Sequence, residues 1–339
     1  MAKVTKVKYF TKEKEQFINQ ENLKKYKKYL QSNIIKNQDV KDTTYKRYEG
    51  YFMHFLMWLG ENYGDLDLYS DEFLEEAVDI MESYMLFCQE ILLNHKKIIN
   101  TKVSAISSFY IWATKRGYIK YHPFKDKLDR MKKASEEHVL NNYFLTLEQI
   151  NEIRKDLYTT ENNKWTIQDQ ILFEVSLFSG NRIGALEKLT LSSLNLDDMV
   201  FENIREKEGY RVSVPFDETC KDMIETWLEM RQELDDLKID ALLIRKTKDG
   251  YVPWSRDMIY TRMRKFGEII GIEDFRPHCM RKTSINQIYE QTGDLNLASQ
   301  WANHKSTAVT HLYLRPVSKA DLRDKLNLLR KKQEELKNS

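Results

Sequence analysis

Six side chains in the second half of the sequence have types and spacings suited to chemistry at a phosphate. Arg182 follows Ser179-Gly180-Asn181, where a helix of about 166–179 is predicted to end. Lys207 lies beside a hairpin turn, eight residues before Pro215. His278 and Arg281 form an H-x-x-R pair just after Pro277, a spacing that puts both on one helical face. His304 follows Trp301-Ala302-Asn303, and Tyr313 comes nine residues later. Guanidinium groups match phosphate oxygens bidentately and stay charged. Displacement at a phosphodiester by an oxygen nucleophile needs such charge stabilisation, together with proton handling. A phenol, with an ordinary pKa of about 10, attacks at neutral pH only when deprotonated or held in a strong field.

Taken one at a time, these residues have plain structural explanations. An arginine at a helix end caps carbonyls, a lysine at a hairpin is solvated, and Tyr313 is one of 19 tyrosines. His278, Cys279, His304 and His311 also raise the thought of zinc. Neighbouring His278 and Cys279 point apart on a helix, however, and no carboxylate or second cysteine is suitably spaced. No metal site is expected. There is no P-loop, no G-x-G-x-x-G and no H-E-x-x-H, so neither ATP nor a dinucleotide cofactor is expected.

The elements that must position these residues are mostly helices. Five prolines and eleven glycines punctuate the chain. Asp42-Thr43-Thr44 reads as a helix start, followed by Tyr48, Tyr51, Phe52, Phe55, Leu56 and Leu59 at helical spacing. Further helices are predicted over about 71–94 and from Thr101 to about Arg116, stopped by Gly117. After Pro123 the polar stretch KDKLDRMKKASEEHVLNN has linker composition. Thr146-Leu147-Glu148-Gln149 is a capping box that opens a second domain. Residues 199–214 switch to period two around Glu208-Gly209, a hairpin signal closed by Pro215. The remainder is predicted helical over about 217–234, 256–270, 278–291, 295–302 and 318–335. The expected organisation is a basic extension 1–37, a helical domain 38–125, a linker 126–142 and a second domain 143–339.

Bulk properties narrow the class. A length of 339 residues suits about two domains, and 41% hydrophobic residues suffice for a core in each. No apolar run approaches the roughly 18 residues needed to cross a bilayer. The start, MAKVTKVKYFTKEKEQF, lacks the apolar stretch of a signal peptide. The three cysteines, Cys88, Cys220 and Cys279, are scattered and form no framework. A cytoplasmic location is therefore expected. The net charge of +2 hides an asymmetry: eleven Lys/Arg against two acids over 95–133, but ten acids and no Lys or Arg over 61–90. Residues 1–50 carry thirteen Lys/Arg against six acids. Such a run is commonly a solvated face, and it is also what a phosphate-binding footprint requires. The candidates for backbone contact with a nucleic acid are Lys96, Lys97, Lys102, Lys115, Arg116 and Lys120.

In combination the six residues resemble a known family. The order Arg, Lys, H-x-x-R, His, Tyr is that of the tyrosine recombinases, or phage integrases. SGNRIGALEKLTL resembles the first arginine box, RPHCMRKTSINQI the H-x-x-R box and WANHKSTAVTHLY the box of the nucleophilic tyrosine. EKEGYRVSVP resembles the lysine-bearing hairpin. TTYKRYEGYFMHFLMWL and TKVSAISSFYIWATKRGYIKYHPF carry the helix pattern of its core-binding domain. The likeness spans about 40–335. Two positions depart from it. The family often has an acid three residues after the first arginine, where Ala185 stands, and commonly a histidine after the second arginine, where Lys282 stands.

The resemblance implies a mostly α fold with a small antiparallel β-sheet: a helical core-binding domain and an α+β catalytic domain forming a C-shaped clamp on double-stranded DNA. Arg182 and Arg281 would hold the scissile phosphate, His278 would act as base or orienting partner, and His304 would donate a hydrogen bond. Lys207 would protonate the departing 5′-oxygen, and Tyr313 would form a 3′-phosphotyrosyl link, with no metal or ATP required. Four protomers would assemble on two short inverted-repeat sites, from a monomer or dimer off DNA. A tail with Leu322, Leu326, Leu329 and Leu336 at helical spacing would dock on its own domain or on the next subunit. No separate arm-type DNA-binding domain is expected. The lysine-over-arginine bias hints at an AT-rich bacterial source or its mobile element, with the protein at the nucleoid. A type IB topoisomerase, a hairpin telomere resolvase and a DNA-binding protein with a dead site are the other readings. The intact set of six residues argues against the last.

Overall fold

The computed structural model describes residues 9–36, 42–132, 143–159, 164–206, 210–234, 239–304 and 306–315, with Arg323 and Asn327. Lys207 and the leucines expected in the C-terminal helix lie outside the described residues. The chain divides into two compact units, Met1–Leu140 and Asn141–Ser339. No helix among the described residues is long and apolar enough to cross a membrane.

The first unit is helical: a 3-10 turn Lys12–Phe17, then α1 (Gln20–Lys36), α2 (Asp42–Tyr63), α3 (Asp71–Glu90) and α4 (Lys96–Lys115). Ser70 caps α3 by accepting from the Phe73 amide, and Asp71 and Glu72 face the positive end of its dipole. Helix α4 begins five residues before the sequence expectation, at Lys96, and turns off at Gly117 with φ +74°. The core is built from aromatic rings: Tyr26 stacks on Phe52 at 3.9 Å, Phe52 meets Phe109 edge-on at 5.1 Å, and Phe55 meets Tyr84 at 5.1 Å. Burying each such ring stabilises the fold by about 2–3 kcal/mol before entropy is counted.

One expectation is overturned here. Of the basic extension expected over 1–37, the described residues 9–36 belong to the helical domain, because Ile18, Tyr26 and Tyr29 are buried in its core. Asn22 adds to this by bridging the Leu66 carbonyl and the Leu68 amide.

The second unit is α+β. It runs α5 (Leu147–Tyr158), α6 (Ile167–Ser179), a short α7 (Ile183–Leu186), strands β1 (Leu194–Asn195), β2 (Val200–Arg205) and β3 (Arg211–Pro215), then α8 (Glu218–Gln232). After it come β4 (Ile244–Thr247), β5 (Gly250–Pro253), α9 (Arg256–Ile269), α10 (Pro277–Thr292), α11 (Leu295–Trp301) and α12 (Thr307–His311). The expected capping box is present, with Thr146 and Gln149 bonded reciprocally. β1-β2-β3 form an antiparallel sheet in which Phe201 faces Val214 and Ile204 faces Val212. The β4-β5 hairpin was not anticipated, although Asp249-Gly250 is a hairpin turn signal and Gly250 has φ +111°. At the centre lies α6, whose apolar length is buried and which packs against α8, α10 and β3.

Candidate active site

Three helix ends in the second unit converge on one place. α6 ends at Gly180, whose φ of +59° is left-handed, and a Cβ there would lie 2.7 Å from Ser284 Oγ of α10. Glycine is therefore required twice over, for conformation and for the close approach. α10 starts with Pro277 at its first turn, where the missing N–H costs nothing. α11 ends at Ala302, and α12 leads into Tyr313.

Arg281 joins these ends. It is 2% exposed. Its Nη1 donates to the Gly180 carbonyl at 2.6 Å, and its Nη2 donates to the Ala302 carbonyl at 2.6 Å and to His304 Nε2 at 2.9 Å. The Tyr313 side chain lies against it, with the guanidinium carbon 5.4 Å from the ring centre. Its Nε is buried without a partner. One guanidinium thus fixes the ends of α6 and α11, one histidine and the tyrosine.

The tyrosine sits between two imidazoles. Ring centres are 5.0 Å apart for His278–Tyr313 and 4.7 Å for His304–Tyr313. Behind it, Tyr313 and Leu314 pack on a small core of Ile285, Ala298 and Ala302. Asn286 Oδ1 accepts from the Arg315 amide at 2.9 Å, so α10 grips the chain two residues past the tyrosine.

The partners of His304 determine its tautomer. Arg281 can only donate, so Nε2 accepts. A neutral ring then carries its proton on Nδ1, which donates to the buried Thr310 Oγ1 at 2.9 Å. Thr310 also turns the chain toward the tyrosine, since its carbonyl accepts from the Tyr313 amide at 2.8 Å.

The pKa of both histidines is lowered to about 4. For His278, an exposed residue, loss of hydration is the largest cause, followed by Lys282, Arg281 and Arg182. For His304 it is again loss of hydration, then Arg281, Arg182 and His278. Both are therefore neutral near pH 7 in the free protein. Arg182 is 43% exposed at its side chain, and its Nη1 donates to Glu206 Oε2 at 2.9 Å.

Of the six residues singled out from the sequence, Arg182, His278, Arg281, His304 and Tyr313 come together, and Lys207 is outside the described residues. Sequence reasoning missed Thr310, Asn286 and Glu206. Thr310 stands one helical turn before Tyr313 and Glu206 adjoins Lys207, so spacing alone could have suggested both.

The basic candidates in the first unit do not form one patch. Lys97 is exposed at the start of α4, while Lys115 and Arg116 are exposed at its end, about 27 Å away along the axis. Lys120 is exposed beyond the turn and Lys96 is half-buried. Lys102 must be withdrawn as a phosphate contact. It is 4% exposed, and its Nζ lies 3.5 Å from the buried Cys88 Sγ and over the Tyr84 ring.

Residues 143–319 match the profile of the phage integrase family. A tyrosine recombinase XerS from Streptococcus pyogenes is 27% identical over 302 residues, covering 79% of this chain and 83% of that protein. A XerS from Lactococcus lactis is 26% identical, covering 86% and 94%. Among solved structures, the Tn1549 transposon integrase in complex with transposon right end DNA superposes with a TM-score of 0.63 at 14% identity, over 89% of this chain and 98% of that one. A lambda integrase dimer bound to a core site gives 0.60 at 14% identity, over 86% and 94%. The chain, with Arg182, His278, Arg281, His304 and Tyr313 gathered in the matched region, belongs to the phage integrase family of tyrosine recombinases.

Proposed function

We propose that this protein is a site-specific DNA recombinase that cuts and rejoins strands through a covalent bond between Tyr313 and a 3′-phosphate. The observation that carries this reading is the seating of Tyr313 between His278 and His304 and against Arg281. The Tyr313 oxygen attacks phosphorus, the bond to the 5′-oxygen breaks, and a phosphotyrosyl ester replaces a phosphodiester. A 5′-hydroxyl of the partner strand then reverses the step. One ester is exchanged for another, so no ATP is consumed.

Arg182, exposed toward solvent, receives the phosphate, and Arg281 holds the pocket from beneath. His278, neutral in the free site, is the acceptor for the phenol proton. His304 must change partner. Its Nε2 now accepts from Arg281, and it becomes a donor to phosphate when that contact is exchanged and the ring gains a proton. Loss of hydration is the largest cause of this low pKa, and an arriving anion offsets the arginine repulsion that adds to it, which favours the exchange. Lys207, by family resemblance, protonates the leaving 5′-oxygen.

The DNA partner is a duplex with short inverted repeats, bound by four protomers on two sites. The first unit acts as the core-binding domain and the second as the catalytic domain. Exposed Lys97, Lys115, Arg116 and Lys120 supply backbone contacts, which set affinity and not sequence choice. A groove of about 400 Å³ in the second unit, lined by Leu177, Phe178, Ile288, Leu297 and Trp301, suits the leucine-bearing tail of a neighbouring copy. Action on a bacterial chromosome or its mobile element puts the protein in the cytoplasm, at the nucleoid.

The test is a nicked suicide duplex built from the inverted repeats that flank the gene. Wild type should accumulate a covalent adduct, and Tyr313→Phe should bind the site with near-normal affinity and form none. Tight binding without any wild-type adduct identifies a binding-only protein. Recombination by Tyr313→Phe removes the assignment.

A further inference from the structure

The family resemblance leads one to expect an acid three residues after Arg182, and none stands there. Ala185 occupies that position and is wholly buried in the core, where it offers no charge. A carboxylate reaches Arg182 from elsewhere. Glu206 Oε2 accepts from Arg182 Nη1 at 2.9 Å, and the Glu206 side chain is 8% exposed against 43% for Arg182. The carboxylate thus lies beneath the guanidinium, on the side away from solvent.

We propose that Glu206 is the positioning residue for Arg182 in this protein, supplying from the end of β2 the brace that Ala185 cannot supply. The proposal rests on the recombinase reading of the site.

Four observations support a brace over a mask. First, the contact uses one of the five N–H donors of the guanidinium, which leaves the exposed edge for phosphate. Second, the position of Glu206 is fixed by the sheet. Its amide donates to the Tyr210 carbonyl at 2.6 Å, next to the paired Arg205 and Arg211. Third, Glu206 acts on both arginines. Arg182 lowers the pKa of Arg281 by like-charge repulsion and Glu206 opposes that effect, so the carboxylate offsets the repulsion of two cations meant for one phosphate. Fourth, Glu206 Oε1 is buried without a partner, an acceptor still open to a donor brought by the engaged site. Glu206 also directly precedes Lys207.

The experiment is single-turnover cleavage of the nicked suicide duplex by wild type, Glu206→Ala, Glu206→Gln, Arg182→Ala and the double variant Glu206→Ala/Arg182→Ala, with site affinity and thermal unfolding measured for each. Misplacing a phosphate-holding group should slow cleavage about 10–100-fold in Glu206→Ala, with affinity within about 2-fold of wild type. Glu206→Gln, which keeps an acceptor oxygen but not the charge, should fall between. The double variant should be no slower than Arg182→Ala alone, because Glu206 acts through Arg182. Three results overturn the proposal: faster cleavage by Glu206→Ala, which is the signature of a mask; an undiminished effect of Glu206→Ala in the Arg182→Ala background; or wild-type rates in both Glu206 variants. Wild-type adduct in the same assay keeps the recombinase reading standing when the Glu206 assignment fails, and its absence removes both.

Discussion

Lys102 in the helical unit and Arg281 in the α+β unit are both almost wholly out of water, at 4% and 2% exposure, yet their surroundings differ. Arg281 donates to two carbonyls and an imidazole, and its guanidinium lies against the Tyr313 ring. Lys102 donates to a cysteine sulfur, and its ammonium lies over the Tyr84 ring. Burial lowers the pKa of each. A guanidinium tolerates this because its charge is delocalised and its ordinary pKa lies far above neutrality, whereas an ammonium readily loses its proton when buried. A buried cation can therefore organise a site or merely burden a core, and the count and geometry of its acceptors decide which.

Arg281→Lys should break the comparison most sharply. The charge survives, but Gly180, Ala302 and His304 cannot all be reached by one ammonium. The ends of α6 and α11 lose their common anchor, and buried acceptors are left unpaired. The expected loss is about 2–4 kcal/mol of stability in denaturant titration and all measurable cleavage. Stability near that of wild type would show that the carbonyls are not held by Arg281.

Lys102→Met should move the other way, gaining about 1 kcal/mol at pH 7. The sign follows from linkage. The folded-state pKa lies below the unfolded value, so between the two the unfolded chain binds more protons and stability rises with pH. Below the folded pKa the full penalty is present. Methionine removes both the penalty and its pH dependence, so the gain should shrink as pH climbs toward 10.5. Equal stability of the two proteins at pH 7 would mean that Lys102 finds better partners than its sulfur contact.

Lys102 also shows where the sequence was legible and where it was not. The catalytic set could be read because order and spacing constrain it: Arg182, His278, Arg281, His304 and Tyr313 lie far apart in sequence and meet in the fold. The basic set was read by composition, which cannot tell the faces of a helix apart. Helical spacing could have. Lys102 follows Ile99 by three residues and precedes Ile106 by four, and both isoleucines are wholly buried. Likewise Ile18, Asn22, Tyr26 and Tyr29 recur at helical spacing and are all buried, although the lysines around them masked the pattern. The β4-β5 strands are four residues each, too short for periodicity to register. Glu206 and Thr310 stand at telling positions, beside Lys207 and one turn before Tyr313, but the side chains they hold, Arg182 and His304, are read only from the folded contacts.

The exposed cations sharpen the same contrast. Lys115→Ala and Arg116→Ala should each weaken binding without changing site preference and lower the salt slope of log K by about 1. Lys102→Met should leave that slope unchanged. A slope change for Lys102→Met as large as that for Lys115→Ala would return Lys102 to the DNA surface.

The smallest effect is expected one step out from Arg281, at Thr310. Arg281 claims His304 Nε2, and Thr310 claims Nδ1, so the ring is held from both sides. Thr310→Val keeps the shape and removes the hydroxyl. The Nδ1 proton then has no acceptor, and the ring is free to turn or to move its proton to Nε2, where it would face the Arg281 donor. Cleavage should fall roughly 5–10-fold with site affinity unchanged, and Thr310→Ser should restore it. The pH profile separates this from a packing defect. In wild type both histidines titrate at about 4, so the rate for the free enzyme should show no histidine inflection between about pH 5.5 and 7.5. In Thr310→Val a ring free to turn toward solvent regains hydration, the largest cause of its low pKa, and loosens its Arg281 contact, so its pKa moves up toward its ordinary value and an inflection should enter that window. A uniform drop across the window, with Thr310→Ser as slow as Thr310→Val, would reduce Thr310 to a packing residue and leave Arg281 as the sole holder of His304.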